Sequence, residues 1–151
     1  MENEILKQDD AFFMKEALKE AVKALDKDEV PIGAVVVCNG KIIARAHNLT
    51  EMLNDPTAHA EMQAITAATS YIGGKYLNDC TLYVTIEPCP MCAAALGWAQ
   101  IKRVVYGASD PKRGYSLFSP NLLHPKTAVE SGIMAEECGG MVSAFFKNKR
   151  K

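Results

Sequence analysis

The residues of this chain best equipped for chemistry are His59-Ala60-Glu61 and, further along, Pro88-Cys89-Pro90-Met91-Cys92. One imidazole and two thiolates make a donor set suited to zinc, which takes nitrogen and sulfur ligands alike. Structural zinc sites are normally closed by four protein ligands, whereas three leave a position where water binds, loses a proton and becomes a nucleophile. Glu61 is then a carboxylate that the metal does not require. Neither half is decisive alone: His-x-Glu is common by chance, and Cys-x-x-Cys can be a redox pair, half a zinc knuckle or two core thiols. Their occurrence together, with Pro88 directly before Cys89, points to a catalytic metal.

These residues need elements to position them. Phe13, Ala17, Leu18, Ala21, Val22 and Leu25 recur at helical spacing and predict a first amphipathic helix, with Asp9 or Asp10 as its cap. Gly33 to Cys38 reads as a strand, Asn39-Gly40 as a two-residue hairpin turn and Lys41 to Ala46 as the return strand. Asp55-Pro56-Thr57 can start a helix running through His59, Glu61, Ile65 and Ala68 toward Tyr71, with Gly73-Gly74 ending it. Thr81 to Ile86 is a strand by composition, Ala93 to Ile101 a helix with Pro90 suited to its first turn, and Lys102 to Tyr106 another strand. Ala108 to Pro125 reads as a long ordered loop, and Ala135 to about Lys147 as a closing helix that Gly139-Gly140 weakens. This order predicts an α/β fold of three layers, α/β/α, around a mixed central sheet.

Both donor motifs fall at expected helix starts. Cys89 and Cys92 share one face of a helical turn, and the positive end of the helix favours their thiolates. His59 and Glu61 lie about 200° apart on a regular helix, so their spacing does not by itself bring them together.

With 151 residues, one domain spanning 1–151 is expected, long enough to bury a real core. No apolar run approaches the length that crosses a bilayer, and the acidic start Met1-Glu2-Asn3-Glu4 lacks the features of a secretory signal. The five cysteines contain a single tight pair rather than a disulfide framework, so Cys38, Cys80 and Cys138 read as ordinary thiols and the cytoplasm as the expected compartment. A net charge of −1 excludes electrostatic binding of nucleic acid by the chain as a whole. Charge is concentrated locally at the end, where Lys147-Asn148-Lys149-Arg150-Lys151 follows Phe145-Phe146. Basic residues beside aromatics can engage phosphates and stack bases; equally, such a helix can pack its aromatics inward and leave its charges in water. Trp98, at helical spacing, is expected in the core, and His47 and His124 are not needed as ligands.

The string from Asp55 to Glu61, together with Glu87-Pro88-Cys89-Pro90-Met91-Cys92, resembles the cytidine deaminase superfamily and, more closely, its bacterial tRNA adenosine deaminase branch. Glu29 to Ala34, Ala46-His47-Asn48, Val104 to Ala108 and Phe145-Phe146-Lys147 carry the likeness over nearly the whole chain. The resemblance implies that His59, Cys89 and Cys92 hold one zinc ion per subunit and that Glu61 shuttles protons. It implies a substrate-binding role for Asn48, which orients the flipped base, for Ala60 beside the ligand, and for Asp110, which accepts from the ribose 2′-hydroxyl. Asn48 could instead simply finish a strand, and Asp110 could simply initiate a turn before Pro111. Lys112, Arg113, Phe145, Phe146, Lys147 and Arg150 are candidate RNA contacts, although a solvated turn explains Lys112 and Arg113 equally well. The implied partners are a tRNA anticodon loop and a second copy of the chain.

Two other readings share the donor set. Pro90 and Trp98-Ala99-Gln100 also resemble the free-guanine branch, and the loop from Gly114 reaches His124 sooner than in the tRNA enzymes, so a deaminase of free guanine, cytosine or a nucleoside is the main alternative. A zinc-stabilised RNA-binding module without catalysis is the third; the open metal position and Glu61 argue against it.

Overall fold

The computed structural model describes residues 2–119 and 121–150, with side chains from Asp9 onward. Its elements are α1 (Glu2–Asp26), β1 (Gly33–Cys38), β2 (Lys41–His47), α2 (Ala60–Ile72), β3 (Cys80–Ile86), α3 (Pro90–Trp98), β4 (Arg103–Ala108), β5 (Ala128–Ser131) and α4 (Ala135–Lys149). The five strands form one sheet in the order β2-β1-β3-β4-β5. β1 is antiparallel to both β2 and β3, whereas β3, β4 and β5 run parallel, so the sheet is mixed as expected.

Alternation along the strands divides the core into two layers. Ala34, Val36, Leu82, Val84 and Val104 face α2 and α3, whose Ala60, Ala64, Ala93 and Leu96 cover them. Val35, Val37, Tyr83 and Val105 face the other way, toward Met14 and Ala17 of α1 and Cys138 of α4. The result is the three-layer α/β/α architecture. Gly33 permits the close approach of α1, since a Cβ there would lie 2.1 Å from the Ala17 carbonyl oxygen. The hairpin turn forms at Asn39 and Gly40, both with positive φ, as the right-handed strand twist favours.

Several elements differ from expectation. α1 begins at Glu2, so Asp10 lies inside the helix rather than capping it. Its buried carboxylate accepts two hydrogen bonds from the Arg103 guanidinium, both 2.7 Å, and one from the Tyr83 hydroxyl, also 2.7 Å. This anchor ties α1 to β3 and β4. α2 starts at Ala60 because Asp55 makes a local turn instead, its Oδ1 accepting from the Thr57 amide at 2.8 Å and the Thr57 hydroxyl at 2.7 Å. α3 runs Pro90–Trp98 rather than Ala93–Ile101, ending where Gln100 turns to φ 54°. Trp98 is not core but 84 % exposed: Leu96 takes the inward face, and two residues further the helix has turned about 200°. β5, with every residue exposed, was not anticipated, because Ala128-Val129-Glu130-Ser131 shows no apolar alternation.

Burial raises the pKa of Asp10, but the Arg103 and Tyr83 hydrogen bonds outweigh it and hold the carboxyl below its ordinary range. A depressed folded pKa contributes stability above the unfolded value of about 4, which is lost as pH falls through the folded value. Asp10→Asn is expected to cost about 3 kcal/mol at neutral pH by leaving Arg103 unpaired, and the wild type should converge on the variant as pH falls below about 4. Denaturant melts across pH check this; a gap that persists undiminished in acid would contradict it.

Candidate active site

Two helices begin at one place. His59 is the N-cap of α2, with φ −70° and ψ 156°, and Cys89 is the N-cap of α3, with φ −72° and ψ 168°. Neither side chain makes a capping hydrogen bond to its own helix, so the imidazole and the thiol remain available as donors. The extended backbone at His59 also resolves the spacing problem, because the 200° rotation applies only between residues within a regular helix. His59 precedes the first helical residue, and its ring turns toward α3 while Glu61 enters the first turn of α2.

The His59 Nδ1 atom lies 3.7 Å from Cys89 Sγ and 3.5 Å from Cys92 Sγ. Zinc bonded to sulfur at about 2.3 Å and nitrogen at about 2.05 Å in a tetrahedral array requires a nitrogen–sulfur edge of about 3.6 Å. The donor atoms therefore fit zinc without rearrangement, and among the described residues they form the one cluster with metal-ligand spacing. The thiols are electrostatically incomplete on their own. A hydrogen bond from Cys92 holds the Cys89 thiol down to about 4, whereas that same bond and burial push Cys92 upward. The pair thus favours one thiolate over the other, and a dication bound between them would favour both.

Glu61 is buried against this cluster. Burial, above all, pushes its carboxyl up to about 7, while its own backbone amide and His59 pull the other way. A carboxyl so placed can both take and return a proton near neutral pH.

The cluster lies at the side of a cavity of about 680 Å³, within the ordinary range of small-molecule sites and open to solvent. Asn48, Ala60, Asp110, Lys112, Arg113, Phe146 and Arg150 all line it. Asn48 follows β2 directly, donates to the Val30 carbonyl at 3.5 Å and accepts from the Thr50 amide at 3.4 Å, both long contacts. Asp110 does initiate a turn, its Oδ1 accepting from the amides of Lys112 and Arg113, each at 3.0 Å. Its Oδ2 has no protein partner among the described residues. Phe145 and Lys147 do not join the cavity: Phe145 is buried under α4 and Lys147 points into solvent. Lys151 lies outside the described residues. His47 sits between Glu20 and Lys27, and His124 closes a turn with the Lys126 amide, so neither is near the donors.

Three contributors around the cavity were not expected from sequence. One is the Gly139, Val142 and Ser143 part of α4, which extends at helical spacing the wall that the expected Phe146 and Arg150 form. The others are two buried carboxylates, of which Glu87 lines the cavity itself. Glu29 accepts from the amides of Glu51 and Met52 at 3.0 and 2.7 Å, fixing the segment after Asn48. Glu87 does the same for the segment around Asp110. Helical spacing could have revealed the α4 part; nothing local in the sequence marks either carboxylate.

The fit of the donors predicts one tightly held zinc ion per chain. His59→Ala or Cys92→Ala should lose it, and Cys38→Ser should keep it, as read by elemental analysis of purified protein. Full zinc occupancy in Cys92→Ala would contradict the assignment.

Comparison with known proteins agrees with this geometry. Residues 7–108 match the family model of the cytidine and deoxycytidylate deaminase zinc-binding region. The chain is 54 % identical over 147 residues to a tRNA-specific adenosine deaminase of Bacillus subtilis, covering 94 % of this chain and 91 % of the relative. A solved structure from biochemical and structural studies of A-to-I editing by tRNA:A34 deaminases at the wobble position superposes with TM-score 0.80 at 46 % identity, covering 86 % of this chain and 98 % of the other. A guanine deaminase structure from Bacillus subtilis is more distant, with TM-score 0.64 and 32 % identity over 93 % of each chain. Donor set, fold and sequence thus agree that this chain belongs to the zinc-binding cytidine and deoxycytidylate deaminase family.

Proposed function

We propose that this chain, acting as one zinc-dependent deaminase domain, hydrolyses adenosine to inosine at the wobble position of tRNA. The observation that carries the reading is the placement of Glu61 beside a three-donor metal site, in a cavity that Lys112, Arg113 and Arg150 line with positive charge and Phe146 with an aromatic face. Phosphates and an unstacked base are what such a lining recognises. The relatives named as tRNA adenosine deaminases match over nine-tenths of the chain at higher identity than the guanine deaminase, which supports RNA over a free base.

His59, Cys89 and Cys92 would hold zinc, which would supply Lewis acidity toward a water molecule near neutral pH. Glu61 takes a proton from the attacking water and delivers it to the purine ring nitrogen next to C6. It then passes the second proton to the exocyclic amine, so that ammonia leaves and the C6 carbonyl of inosine remains. Asn48, buried at the cavity wall with only long contacts of its own, presents an amide to the base edge. Asp110 offers its free Oδ2 to the ribose 2′-hydroxyl.

A homodimer is part of the proposal, supported by the exposure of Trp98, Leu117 and Phe118. A cytoplasmic setting is supported by five cysteines without a disulfide; no helix among the described residues is long and apolar enough to cross a membrane.

The reading is tested by offering purified protein an anticodon stem-loop with adenosine at the wobble position, alongside free guanine, cytosine, adenosine and cytidine. Inosine in the RNA alone is expected. Ammonia from guanine alone would make this a free-base deaminase, and ammonia from no substrate would make it a binding module. Glu61→Gln should keep its zinc and lose at least about a hundredfold in turnover. Asp110→Asn should lower the preference for a ribose over a 2′-deoxyribose target; an unchanged preference would remove Asp110 from sugar recognition.

A further inference from the structure

Glu87 ends β3's side of the site two residues before Cys89, and its side chain is buried. No cation pairs with it among the described residues; its partners are neutral donors of one loop. Its Oε1 accepts from the Asp110 amide at 3.1 Å, and its Oε2 accepts from the Ser116 amide at 3.1 Å and the Ser116 hydroxyl at 2.6 Å. Gly114 lies so close that a Cβ there would fall 2.3 to 2.5 Å from the carboxyl atoms. The loop is therefore wrapped around this one group, and the Glu87 amide is bonded in turn to the Ala108 carbonyl oxygen at 2.8 Å.

The consequence is geometric. Cys89 is fixed at the N-cap of α3, while Asp110, Lys112 and Arg113 line the cavity from a loop that could otherwise move as a unit. Backbone bonds from the Glu87 amide to the Ala108 carbonyl and from the Tyr115 amide to the Pro88 carbonyl, at 2.8 and 2.9 Å, hold the two ends of the loop, and the Glu87 side chain is the group that reaches the Asp110 amide itself. We infer that Glu87 is a positioning residue for substrate recognition, holding Asp110 and its turn in register with the metal site; this rests on the reading of Asp110 as the group that senses the ribose.

An amide replaces one acceptor with a donor. At either oxygen the new NH2 group confronts one backbone N–H, that of Ser116 at Oε2 or that of Asp110 at Oε1, while the Ser116 hydroxyl can turn to accept from it. Glu87→Gln should therefore loosen the loop that carries Asp110. Gly114→Ala reaches the same end by another route, pushing the loop off an intact carboxylate.

The experiment compares kcat and KM for stem-loops carrying adenosine or 2′-deoxyadenosine at the target position. The wild type is compared with Glu87→Gln, Gly114→Ala, Asp110→Asn and the Glu87→Gln/Asp110→Asn double variant. Zinc content and hydrogen exchange of the peptide containing Asp110 are measured on each. Glu87→Gln and Gly114→Ala are expected to retain zinc, to speed exchange around Asp110, and to lose about tenfold or more of the ribose preference, chiefly through KM. The double variant should lose no more than Asp110→Asn alone. If Asp110→Asn loses the preference while both loop variants keep it, the inference is overturned. A wild-type preference in Asp110→Asn itself would instead defeat the underlying reading of Asp110. A lowered melting temperature with kinetics and exchange unchanged would reduce Glu87 to a structural role and also overturn the inference.

Discussion

The site depends on two helix N-termini converging beyond the end of the central strand β3. At each, the last extended residue contributes a donor side chain: His59 before α2 and Cys89 before α3. An N-cap side chain ordinarily bends back to satisfy the orphan amides of its own first turn. Here neither does so, and the two donors instead face one another across a gap of 3.7 Å. The amide-rich helix ends contribute partial positive charge at the point where thiolates must be stabilised. Cys92 and Glu61 then enter from the first turns of the same two helices, so four functional groups need only two helix starts.

Everything beneath the site holds those starts in place. The antiparallel pairing of β1 with β3 and the parallel pairing of β3 with β4 put the ends leading into α3 and the Asp110 loop side by side. On one face the small residues Ala60, Ala64 and Ala68 let α2 settle against the sheet; on the other, the Asp10–Arg103–Tyr83 anchor pins α1. Above the sheet, buried carboxylates replace regular secondary structure as the organising element. Glu29 and Glu87 each gather the amides of a segment that has no ladder of its own, which is how irregular backbone is satisfied beside a cavity.

Much of this was legible from residue types. The first four strands showed because β-branched runs and the Asn39-Gly40 turn are local signals, and the cluster of His59, Cys89 and Cys92 showed because its donor chemistry and order are unusual. What stayed hidden was determined by tertiary context. The convergence of His59 with Glu61 depends on a backbone dihedral change at one residue, which no periodicity records. β5 is an exposed edge strand whose sequence carries no alternation to detect. Asp10 looked like a cap because aspartate favours that position, yet a guanidinium distant in sequence stabilises it within α1. Trp98 reads as core from its helical spacing, but the rotation of a short helix turns it outward. Glu87 shows no role of its own in sequence, because its partners lie on a loop that only folding brings back to it.

The central claim is that three protein donors hold the metal, with no fourth beside them among the described residues, which leaves a position for water. X-ray absorption at the zinc edge of the loaded protein tests it most directly, compared with and without a substrate-like ligand. The account predicts two sulfur and two nitrogen-or-oxygen scatterers, with one of the light scatterers exchanging when ligand binds. Three or more sulfur scatterers, or a shell that does not respond to ligand, would mean that the site is closed and structural.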